Sequence, residues 1–260
     1  MKKIGITGGN GLLGGLLKNL LRKKKIKYHI FNGDITKRKH IDEWLSKNKD
    51  IVYIFHFAAF TLISKLKYNR SKAYKINVKG TENLIKSINQ NKKKIFIFFP
   101  STSHVYKYSK KPIKENNKLE PSSYYGKTKL LAEKKIISDK KGYINFCIAR
   151  IFSVFHKKQK EPFLYPSVKN KIRKLRSGKI YINNANCVRD FLNAEKIVKI
   201  IFKMYKKKLS GVFNIGSGKG ITIRSFIYKY ISKQKIIIDK SKANILIADI
   251  KKLKLKLKSA

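Results

Sequence analysis

KIGITGGNGLLGG, at residues 3–15, is a short apolar run that leads directly into closely spaced glycines. Gly8, Gly11 and Gly14 are three residues apart, and Gly9, Gly11 and Gly14 also fit G-x-G-x-x-G, so two registers are open. In both, one glycine permits the tight turn, the next lets the backbone approach a pyrophosphate, and Gly14 lets a helix pack close to the strand. The N-terminus of that helix offers N–H groups to phosphates, so the stretch predicts a dinucleotide site.

Short apolar runs alternate with longer amphipathic segments through the first half of the chain, as in parallel strands joined by helices. The predicted strands are Lys3 to Thr7, Tyr28 to Phe31, Ile51 to Phe57, Ile95 to Phe99 and Ile144 to Ala149. The predicted helices are Gly11 to Arg22, Arg38 to Ser46, Ser71 to Asn89 and Gly126 to Ile137. This alternation predicts an α/β fold with a doubly wound parallel sheet, the Rossmann arrangement.

The regular alternation of short apolar runs and amphipathic segments ends after Arg150. We interpret residues 161–260 as a smaller, partly intercalated C-terminal lobe that binds substrate, beside a Rossmann domain at residues 1–160. Its predicted elements are a helix at Val168 to Arg176, a strand at Lys179 to Ile182, a helix at Glu195 to Met204, a strand at Val212 to Ile215 and a helix with Thr222 as N-cap. The tail from Lys251, KKLKLKLKSA, alternates like a strand, with a frayed end as an equal alternative.

The charge balance is strongly basic, with 63 Lys plus Arg against 14 Asp plus Glu and a formal net charge of +49. A surface of this charge attracts polyanions. The lysines are nevertheless scattered, in short runs such as 23–25, 92–94 and 206–208, without a single basic stripe or a nucleic-acid-binding module. We interpret the charge as compositional bias and predict no specific nucleic-acid partner.

Cysteine and histidine usage predicts neither a metal site nor a disulfide framework. The two cysteines, Cys147 and Cys187, lack a partner spacing, and the five histidines form no i, i+4 pair. No apolar run approaches the roughly 18 residues of a membrane span. The N-terminus lacks the apolar segment of a signal peptide. The sequence therefore predicts a cytoplasmic protein without a membrane span.

Six motifs follow the glycine turn in order: HFAAF at His56 to Phe60, INVKGTENLI at Ile76 to Ile85, STSHVY at Ser101 to Tyr106, YYGKTKLLAE at Tyr124 to Glu133, VRDF at Val188 to Phe191 and FNIGSGKGITI at Phe213 to Ile223. Together with the turn they resemble the NAD-dependent epimerase/dehydratase family, the extended short-chain dehydrogenases and reductases of the nucleotide-sugar type. The resemblance runs from Met1 to about Asp249 and implies a chain that ends early relative to the family. It also implies NAD as cofactor, with NADP as the alternative, a nucleotide-sugar substrate and a homodimer paired through helices.

The resemblance places the catalytic tyrosine at Tyr125 and its lysine at Lys129, a Y-x-x-x-K pair on one face of a helix. It implies that the lysine charge and the oxidised nicotinamide depress the phenol pKa, so that the tyrosine acts as acid or base near neutrality. The hydroxyl partner falls on Thr102, with Ser101 and Ser103 as alternatives.

The resemblance also implies which residues bind the ligands. The cofactor set is Gly8, Asn10, Gly11, Leu12, Leu13, Gly14, Asp34, Ile35, Ala58, Ala59 and Asn77, together with Tyr125 and Lys129. The substrate set is Thr102, Ser103, His104, Ser153 and Arg189, whose guanidinium fork suits a diphosphate. Asp34 stands twenty residues after Gly14, where a carboxylate can bond the ribose hydroxyls of NAD; the alternative is a turn residue before a helix near Thr36. For Asn77 a structural role is equally open.

Departures from the family pattern limit the choice of reaction. The 4,6-dehydratases have an acidic pair directly after the hydroxyl residue, where this chain has Ser103 and His104, so dehydration is disfavoured. The remaining hypotheses are hydride transfer at C4 ending in epimerisation, hydride transfer that reduces a keto sugar, a non-catalytic dinucleotide sensor, and a basic nucleic-acid-binding protein.

Overall fold

The computed structural model describes residues 3–61, 69–174, 180–231, 236–238 and 243–259. In chain order the strands are β1 (Lys3–Thr7), β2 (Tyr28–Ile30), β3 (Ile51–His56), β4 (Ile95–Thr102), β5 (Ile144–Ile151), β6 (Ser153–Phe155), β7 (Ile180–Ile182), β8 (Val188–Arg189), β9 (Phe191–Asn193), β10 (Gly211–Ile215), β11 (Ile221–Thr222), β12 (Ile236–Ile238) and β13 (Ile245–Leu246). The helices are α1 (Leu12–Lys23), α2 (Arg38–Lys47), α3 (Arg70–Tyr74), α4 (Gly80–Gln90), α5 (Tyr124–Ile137), α6 (Leu164–Lys174), α7 (Ala194–Lys206), α8 (Ile223–Tyr230) and α9 (Lys251–Lys258).

A six-stranded parallel sheet forms the main body, with strand order β10-β5-β4-β3-β1-β2. This sheet and the helices between its strands confirm the predicted doubly wound α/β fold. The chain runs from β1 outward to β2 and then returns to β3 on the other side of β1. The order therefore reverses at the β1–β3 pair, and the carboxyl ends of these strands form the crevice where ligands bind in such sheets.

The strand predicted at Val212 to Ile215 extends the main sheet instead of the lobe. As β10 it pairs in parallel with β5 along its whole length. It returns there because the apolar side of α7, with Ile197, Ile201 and Met204, packs beside α1 in the same buried cluster. The division of the chain at residues 160 and 161 stays a prediction.

Helices cover both faces of the sheet, each over its own apolar cluster. On one face, α1, α7 and α9 bury Leu17, Leu21, Ile197, Val198, Ile201, Met204 and Leu253. On the other face, α2, α4 and α5 bury Ile41, Trp44, Leu45, Leu84, Ile85, Ile88, Ala132 and Ile136. Because the sheet is covered on both sides, its strands read as near-continuous apolar runs.

Three small sheets and an aromatic cluster lie outside the main sheet, mostly within residues 161–260, the segment predicted to form the lobe. β6 pairs with β9, β7 pairs with β12, and β8 lies between β11 and β13. The Phe226 ring stacks on Phe191 with centroids 3.9 Å apart and meets Phe155 edge-on at 5.1 Å. The predicted N-cap of α8 is confirmed, since the Oγ1 of Thr222 accepts the backbone N–H of Ser225 at 3.0 Å. Residues 175, 176 and 179, which belong to two predicted elements, lie outside the described residues.

The helix predicted from Ser71 is interrupted where it passes the site. A π-helical turn at Lys75–Lys79 separates α3 from α4, and Asn77 lies inside it. Single π turns of this kind are frequent at functional sites. None of the helices in the described ranges combines the length and apolar character that crossing a bilayer requires.

Both alternatives for the tail from Lys251, a strand or a frayed end, are wrong, because the segment forms α9. Leu253 and Leu257, four residues apart, lie on one side of the helix and pack into the cluster of α1 and α7. Lys252 adds a hydrogen bond from its Nζ to the carbonyl oxygen of Val212 at 2.8 Å. Leucines at every second position alternate as in a strand, but some of them are also four residues apart. The same sequence can therefore place leucines on one side of a helix.

Candidate active site

The glycine turn between β1 and α1 requires glycine at two of its positions. Gly8 has φ +66°, and a Cβ added there would lie 2.5 Å from the backbone nitrogen of Ala58. A Cβ on Gly14 would lie 2.4 Å from the carbonyl oxygen of Gly8, whereas one on Gly9 would first meet a flexible side chain at 3.3 Å. Of the two possible registers, the structure therefore favours Gly8, Gly11 and Gly14.

The N-terminus of α1 is open to an anion. Its N-cap is Gly11, which offers no side chain, and the first turn contains no acidic residue. The first N–H groups of a helix have no intrahelical acceptor and carry a partial positive charge. These N–H groups, beside an N-cap without a side chain, are what a pyrophosphate at this turn would use.

A cavity of about 460 Å³ joins this turn to α5 and to the lobe. It lies at the carboxyl ends of β1, β3, β4 and β5, and its volume is typical of small-molecule sites. The predicted residues that line it are Gly8, Gly11, Leu12, Leu13, Gly14, Ala59, Thr102, Ser103, His104, Tyr125, Lys129, Ser153 and Arg189. Other lining residues, which the sequence did not indicate, include Thr61, Gln159, Phe163 and Phe191.

Thr102, Tyr125 and Lys129 meet at the cavity from two elements. Thr102 ends β4, and its Oγ1 accepts the backbone N–H of His104 at 3.2 Å. Tyr125 and Lys129 lie one turn apart in α5. The ring centroids of Tyr125 and His104 are 6.4 Å apart. A hydroxyl, a phenol, an imidazole and an ammonium group therefore border one space.

The electrostatics of the tyrosine and lysine pair differ from the expectation. Burial raises the pKa of Tyr125 to about 12. Burial lowers the pKa of Lys129 to about 7, an effect that the Glu133 carboxylate opposes. Lys129 is only 2% exposed, and its Nζ lies 3.7 Å from the centroid of the Phe99 ring. The chain's own groups thus do not depress the phenol pKa, contrary to what the resemblance implies for the lysine charge.

His104 and Arg189 form the wall of the cavity toward the lobe. Burial, and then the Arg189 charge, lower the pKa of His104 to about 4, so the imidazole is neutral near pH 7. Arg189 donates from Nη1 to the carbonyl oxygens of Val188 and Asn244 at 2.8 and 3.0 Å, and from Nη2 to the Asn244 Oδ1 at 2.5 Å. These bonds use three of the five N–H groups of the guanidinium and hold it in place.

Five residues of the predicted cofactor set lie outside the lining of this cavity: Asn10, Asp34, Ile35, Ala58 and Asn77. Asn77 accepts the N–H of Phe60 at 2.7 Å and donates to its carbonyl oxygen at 3.1 Å, which fixes the strand-end loop. Ile35 and Ala58 pack into the cluster under α2, α4 and α5, and Asn10 is exposed. Their contacts with a cofactor stay predictions.

Asp34 lines a second cavity, of about 550 Å³, together with Thr36, Lys72 and Lys75. Its Oδ1 accepts the N–H and the hydroxyl of Thr36 at 2.9 and 2.8 Å. These two bonds lower the pKa of Asp34. By its contacts Asp34 is a turn residue before α2, which begins at Arg38. A bond to the adenosine ribose stays a prediction.

A family model described as GDP-mannose 4,6 dehydratase matches residues 6–258, nearly the whole chain. The chain belongs to this family. The match confirms the predicted relationship to nucleotide-sugar epimerases and dehydratases, and with it that the chain is an enzyme.

Curated relatives of this family member catalyse more than one reaction. A GDP-6-deoxy-D-talose 4-dehydrogenase from Aggregatibacter actinomycetemcomitans is 29% identical over 230 residues, covering 85% of this chain and 76% of the relative. A UDP-glucose 4-epimerase from Lactobacillus helveticus is 29% identical over 217 residues, covering 75% of this chain and 64% of the relative. The chain thus spans about two thirds to three quarters of the length of these relatives.

Solved structures share the fold of the family member at lower identity. RMD from Pseudomonas aeruginosa, complexed with NADPH, superposes with a TM-score of 0.86 at 18% identity, over 99% of this chain and 92% of its own. UDP-glucose 4-epimerase from Thermus thermophilus, complexed with NAD, gives a TM-score of 0.83 at 16% identity, over 97% and 92% of the two chains.

At Gly126 the structure supplies a physical reason for glycine that the family pattern alone does not. A Cβ on this glycine would lie 2.2 Å from the carbonyl oxygen of His104. Only glycine therefore lets the first turn of α5, with Tyr125, approach the end of β4, with Thr102. In the sequence, the sign of this close approach is a glycine directly after two tyrosines at the start of a helix.

A buried ion pair behind the cavity is the second feature that the sequence did not reveal. Arg150 donates from Nη2 to Glu133 at 2.8 Å and from Nε to both carboxylate oxygens at 3.2 Å. Its Nη1 donates to the Tyr106 hydroxyl, which donates onward to the Asn214 Oδ1 at 2.8 Å. The pair links α5 to β5, to the segment after β4 and to β10. An arginine inside an apolar strand, INFCIARI, was the only sign of it.

His56, at the end of β3, is a buried structural residue. Its ring nitrogens contact the hydroxyls of Thr7 at 2.7 Å and Thr81 at 3.1 Å. Burial, and then the charge of Lys129, lower the pKa of His56 to about 3.

We expect His56 to make the fold sensitive to acid. Below the unfolded pKa of about 6.5, the unfolded chain binds a proton that the folded chain excludes, so stability is lost as the pH falls. Between pH 7 and 5 this loss is about 2 kcal/mol. Urea unfolding of the wild type and of His56→Gln at both pH values measures it, with His29→Gln in the partly exposed β2 as the control. Equal pH slopes for wild type and His56→Gln would disprove the assignment.

Proposed function

We propose that the chain is an NAD(P)-dependent oxidoreductase or epimerase that transfers hydride at C4 of a nucleotide sugar, with Tyr125 as acid and base. The observation that carries the proposal is the single cavity that joins the glycine turn at α1 to Thr102, Tyr125 and Lys129. The 4-dehydrogenase and 4-epimerase names of the relatives support chemistry at position 4.

The phenol of Tyr125 moves one proton in each direction of this reaction. A nicotinamide dinucleotide, when bound at the glycine turn, would supply hydride transfer to or from the sugar carbon. Tyr125 removes the hydroxyl proton as the C–O bond becomes a carbonyl, and it returns that proton on reduction. Thr102, which lines the same cavity at the end of β4, would hold the same oxygen by a hydrogen bond.

Lys129 holds positive charge beside the phenol. A cation near a tyrosine favours the phenolate, which opposes the effect of burial. Because burial lowers the pKa of Lys129 to about 7, it is protonated only in part at neutral pH. An anionic diphosphate and a phenolate in the same cavity would favour its charged form.

Two alternatives use the same cavity. In a keto-sugar reductase the cofactor is exchanged in each turnover, whereas an epimerase keeps it and returns the hydride to the other face of the sugar. A non-catalytic dinucleotide sensor would need none of Thr102, Tyr125 and Lys129 at the cavity. Ser103 and His104 supply no carboxylate pair, which disfavours water elimination.

The test is to titrate the protein with NADH and NADPH and then add UDP-, dTDP- and GDP-linked sugars and keto sugars, following nicotinamide absorbance and product. Stoichiometric cofactor oxidation by a keto sugar indicates a reductase. Interconversion of sugars without net cofactor change indicates an epimerase. Absence of binding of either dinucleotide would overturn the proposal.

Gly14→Ala tests the dinucleotide site. The added methyl overlaps the Gly8 carbonyl oxygen at 2.4 Å. Overpacking of this kind costs about 1–3 kcal/mol, so we expect about ten- to hundredfold weaker NADH binding. Gly15→Ala is the matched control, since its methyl would lie 3.7 Å from its nearest contact and favours the helix. Fluorescence titration of NADH checks both, and equal affinities would argue against the turn as the phosphate site.

We also propose a homodimer and a location in a reducing compartment such as the cytoplasm. Leu131 and Ile137 are exposed on α5, which supports pairing through that helix. Cys147 and Cys187 are buried free thiols. In the described ranges, no group of three or more His, Cys, Asp or Glu residues is placed to hold a metal ion. Sedimentation velocity with Leu131→Lys tests the dimer.

A further inference from the structure

Five loops of the main sheet meet at the edge opposite the cavity. They are the helix-to-strand loops at residues 24–27, 48–50, 91–94, 138–143 and 207–210, and we name them the amino edge. Because all six strands are parallel, each loop that leads from a helix into a strand lies at the amino ends of the strands. The cavity lies at the carboxyl ends.

The amino edge collects lysines that are scattered in the sequence. Its exposed lysines are Lys24, Lys25, Lys27, Lys49, Lys92, Lys94, Lys140, Lys141 and Lys208. The acidic residues of the same loops are Asp50, which pairs with Lys3 at 2.7 Å, and Asp139, which accepts a bond from Asn89 at 2.7 Å. Across six strands the row of charge is about 24 Å wide.

Three of these lysines occupy backbone conformations that lysine disfavours. Lys25, Lys92 and Lys208 have φ of 53°, 48° and 49°. They follow the ends of α1, α4 and α7, at the position where helices usually end in a left-handed glycine. Among the described non-glycine residues, the only other one with positive φ is Asn184, whose residue type tolerates that conformation.

Compensation of the helix dipole explains only part of this arrangement. Lysines near a helix C-terminus offset its partial negative charge. However, the last turn of α1 already has Arg22 and Lys23, and that of α7 has Lys203 and Lys206. For these two helices, the lysine in the left-handed position adds strain without being needed for the dipole.

We propose that the amino edge docks the protein on an anionic lipid surface. Lysine is a compact, strongly hydrated charge that suits diffuse attraction to a layer of headgroups. Recognition of nucleic acid generally uses arginine forks and exposed aromatic rings. These five loops contain no arginine, and their aromatic residue, Tyr143, packs into the core. Docked in this way, the protein keeps the cavity on the far side open to solution.

The test compares two variants of equal charge on the full chain. The edge variant combines Lys25→Gly, Lys92→Gly and Lys208→Gly. The control combines Lys39→Gln, Lys127→Gln and Lys196→Gln, which are exposed lysines near the starts of α2, α5 and α7, at the opposite edge. Co-sedimentation is measured with phosphatidylcholine–phosphatidylglycerol vesicles and with phosphatidylcholine alone, and Tm is recorded for each protein.

We expect the wild type to bind only the anionic vesicles. The edge variant should bind them about a hundredfold more weakly, with a higher Tm because the helix ends are relieved of strain, whereas the control should bind nearly as the wild type does. Equal weakening of both variants would overturn the proposal in favour of net charge alone. Loss of tRNA binding by the edge variant with unchanged vesicle binding would overturn it in favour of a nucleic-acid site. Unchanged NADH binding shows that the cavity is intact, so the outcome is independent of the proposed catalysis.

Discussion

With Tyr125 replaced by phenylalanine, turnover of the nucleotide sugar is expected to fall by about 10²- to 10⁴-fold, the contribution of a positioned acid or base. The substitution removes only the phenol oxygen and keeps the ring beside His104. Dinucleotide affinity and Tm are therefore expected to stay as in the wild type. Single-turnover kinetics and an NADH titration separate the two effects.

Tyr124→Phe is the matched control for this experiment. Tyr124 precedes Tyr125 in the first turn of α5, but it does not line the cavity, and its ring contacts the Arg70 guanidinium at 5.6 Å. We expect it to retain the turnover of the wild type. If Tyr125→Phe kept most of the activity, the proton would have to be moved by Thr102 or His104 instead.

The parts of the site that the sequence predicted are those that local geometry imposes. Gly8 and Gly14 can be predicted from the sequence because a turn with positive φ and a close helix–strand approach leave no room for a Cβ. The positions of Thr102, at the end of β4, and of Ala59, just after β3, can be predicted because apolar runs mark the strands. In a parallel sheet, all carboxyl ends then meet at one edge.

The features that the sequence did not reveal depend on contacts between distant segments. Nothing local shows that Glu133 faces Arg150, or that the His104 carbonyl oxygen fills the space beside Gly126. The amino edge is another example, because its lysines are separated by tens of residues and only the topology assembles them. The prediction of a strand or a frayed end for the tail from Lys251 is wrong because alternating leucine and lysine contains both strand and helix spacings.

The pKa of Tyr125 illustrates the same limit. The resemblance implies that the lysine charge and the oxidised nicotinamide depress this pKa, but burial dominates the pKa of both side chains in the folded chain. Near neutral pH Lys129 is protonated only in part, so its charge favours the phenolate only in part. The working pKa of the phenol therefore depends on what the cavity binds.

Arg150→Met is expected to lower the free energy of unfolding by about 3–5 kcal/mol, because it leaves the buried Glu133 charge unpaired. The side chains of Arg150 and Glu133 are only 4% and 1% exposed, so water cannot replace the lost bonds. Urea unfolding at pH 7 measures the loss. Lys118→Met is the control, since Lys118 pairs with Glu120 on the open surface, and no measurable change is expected there.

The double variant Arg150→Met with Glu133→Leu decides why the single one is unstable. It removes the stranded charge, so it should be more stable than Arg150→Met alone, as buried ion pairs often tolerate apolar replacement. The Tyr106 hydroxyl would still have lost its arginine partner, so full recovery is not expected. If instead the double variant lost as much stability as Arg150→Met and Glu133→Leu lose separately, the stability would come from separate packing of the two side chains. The pair would then not be what fixes α5, with Tyr125 and Lys129, against the strands that carry Thr102.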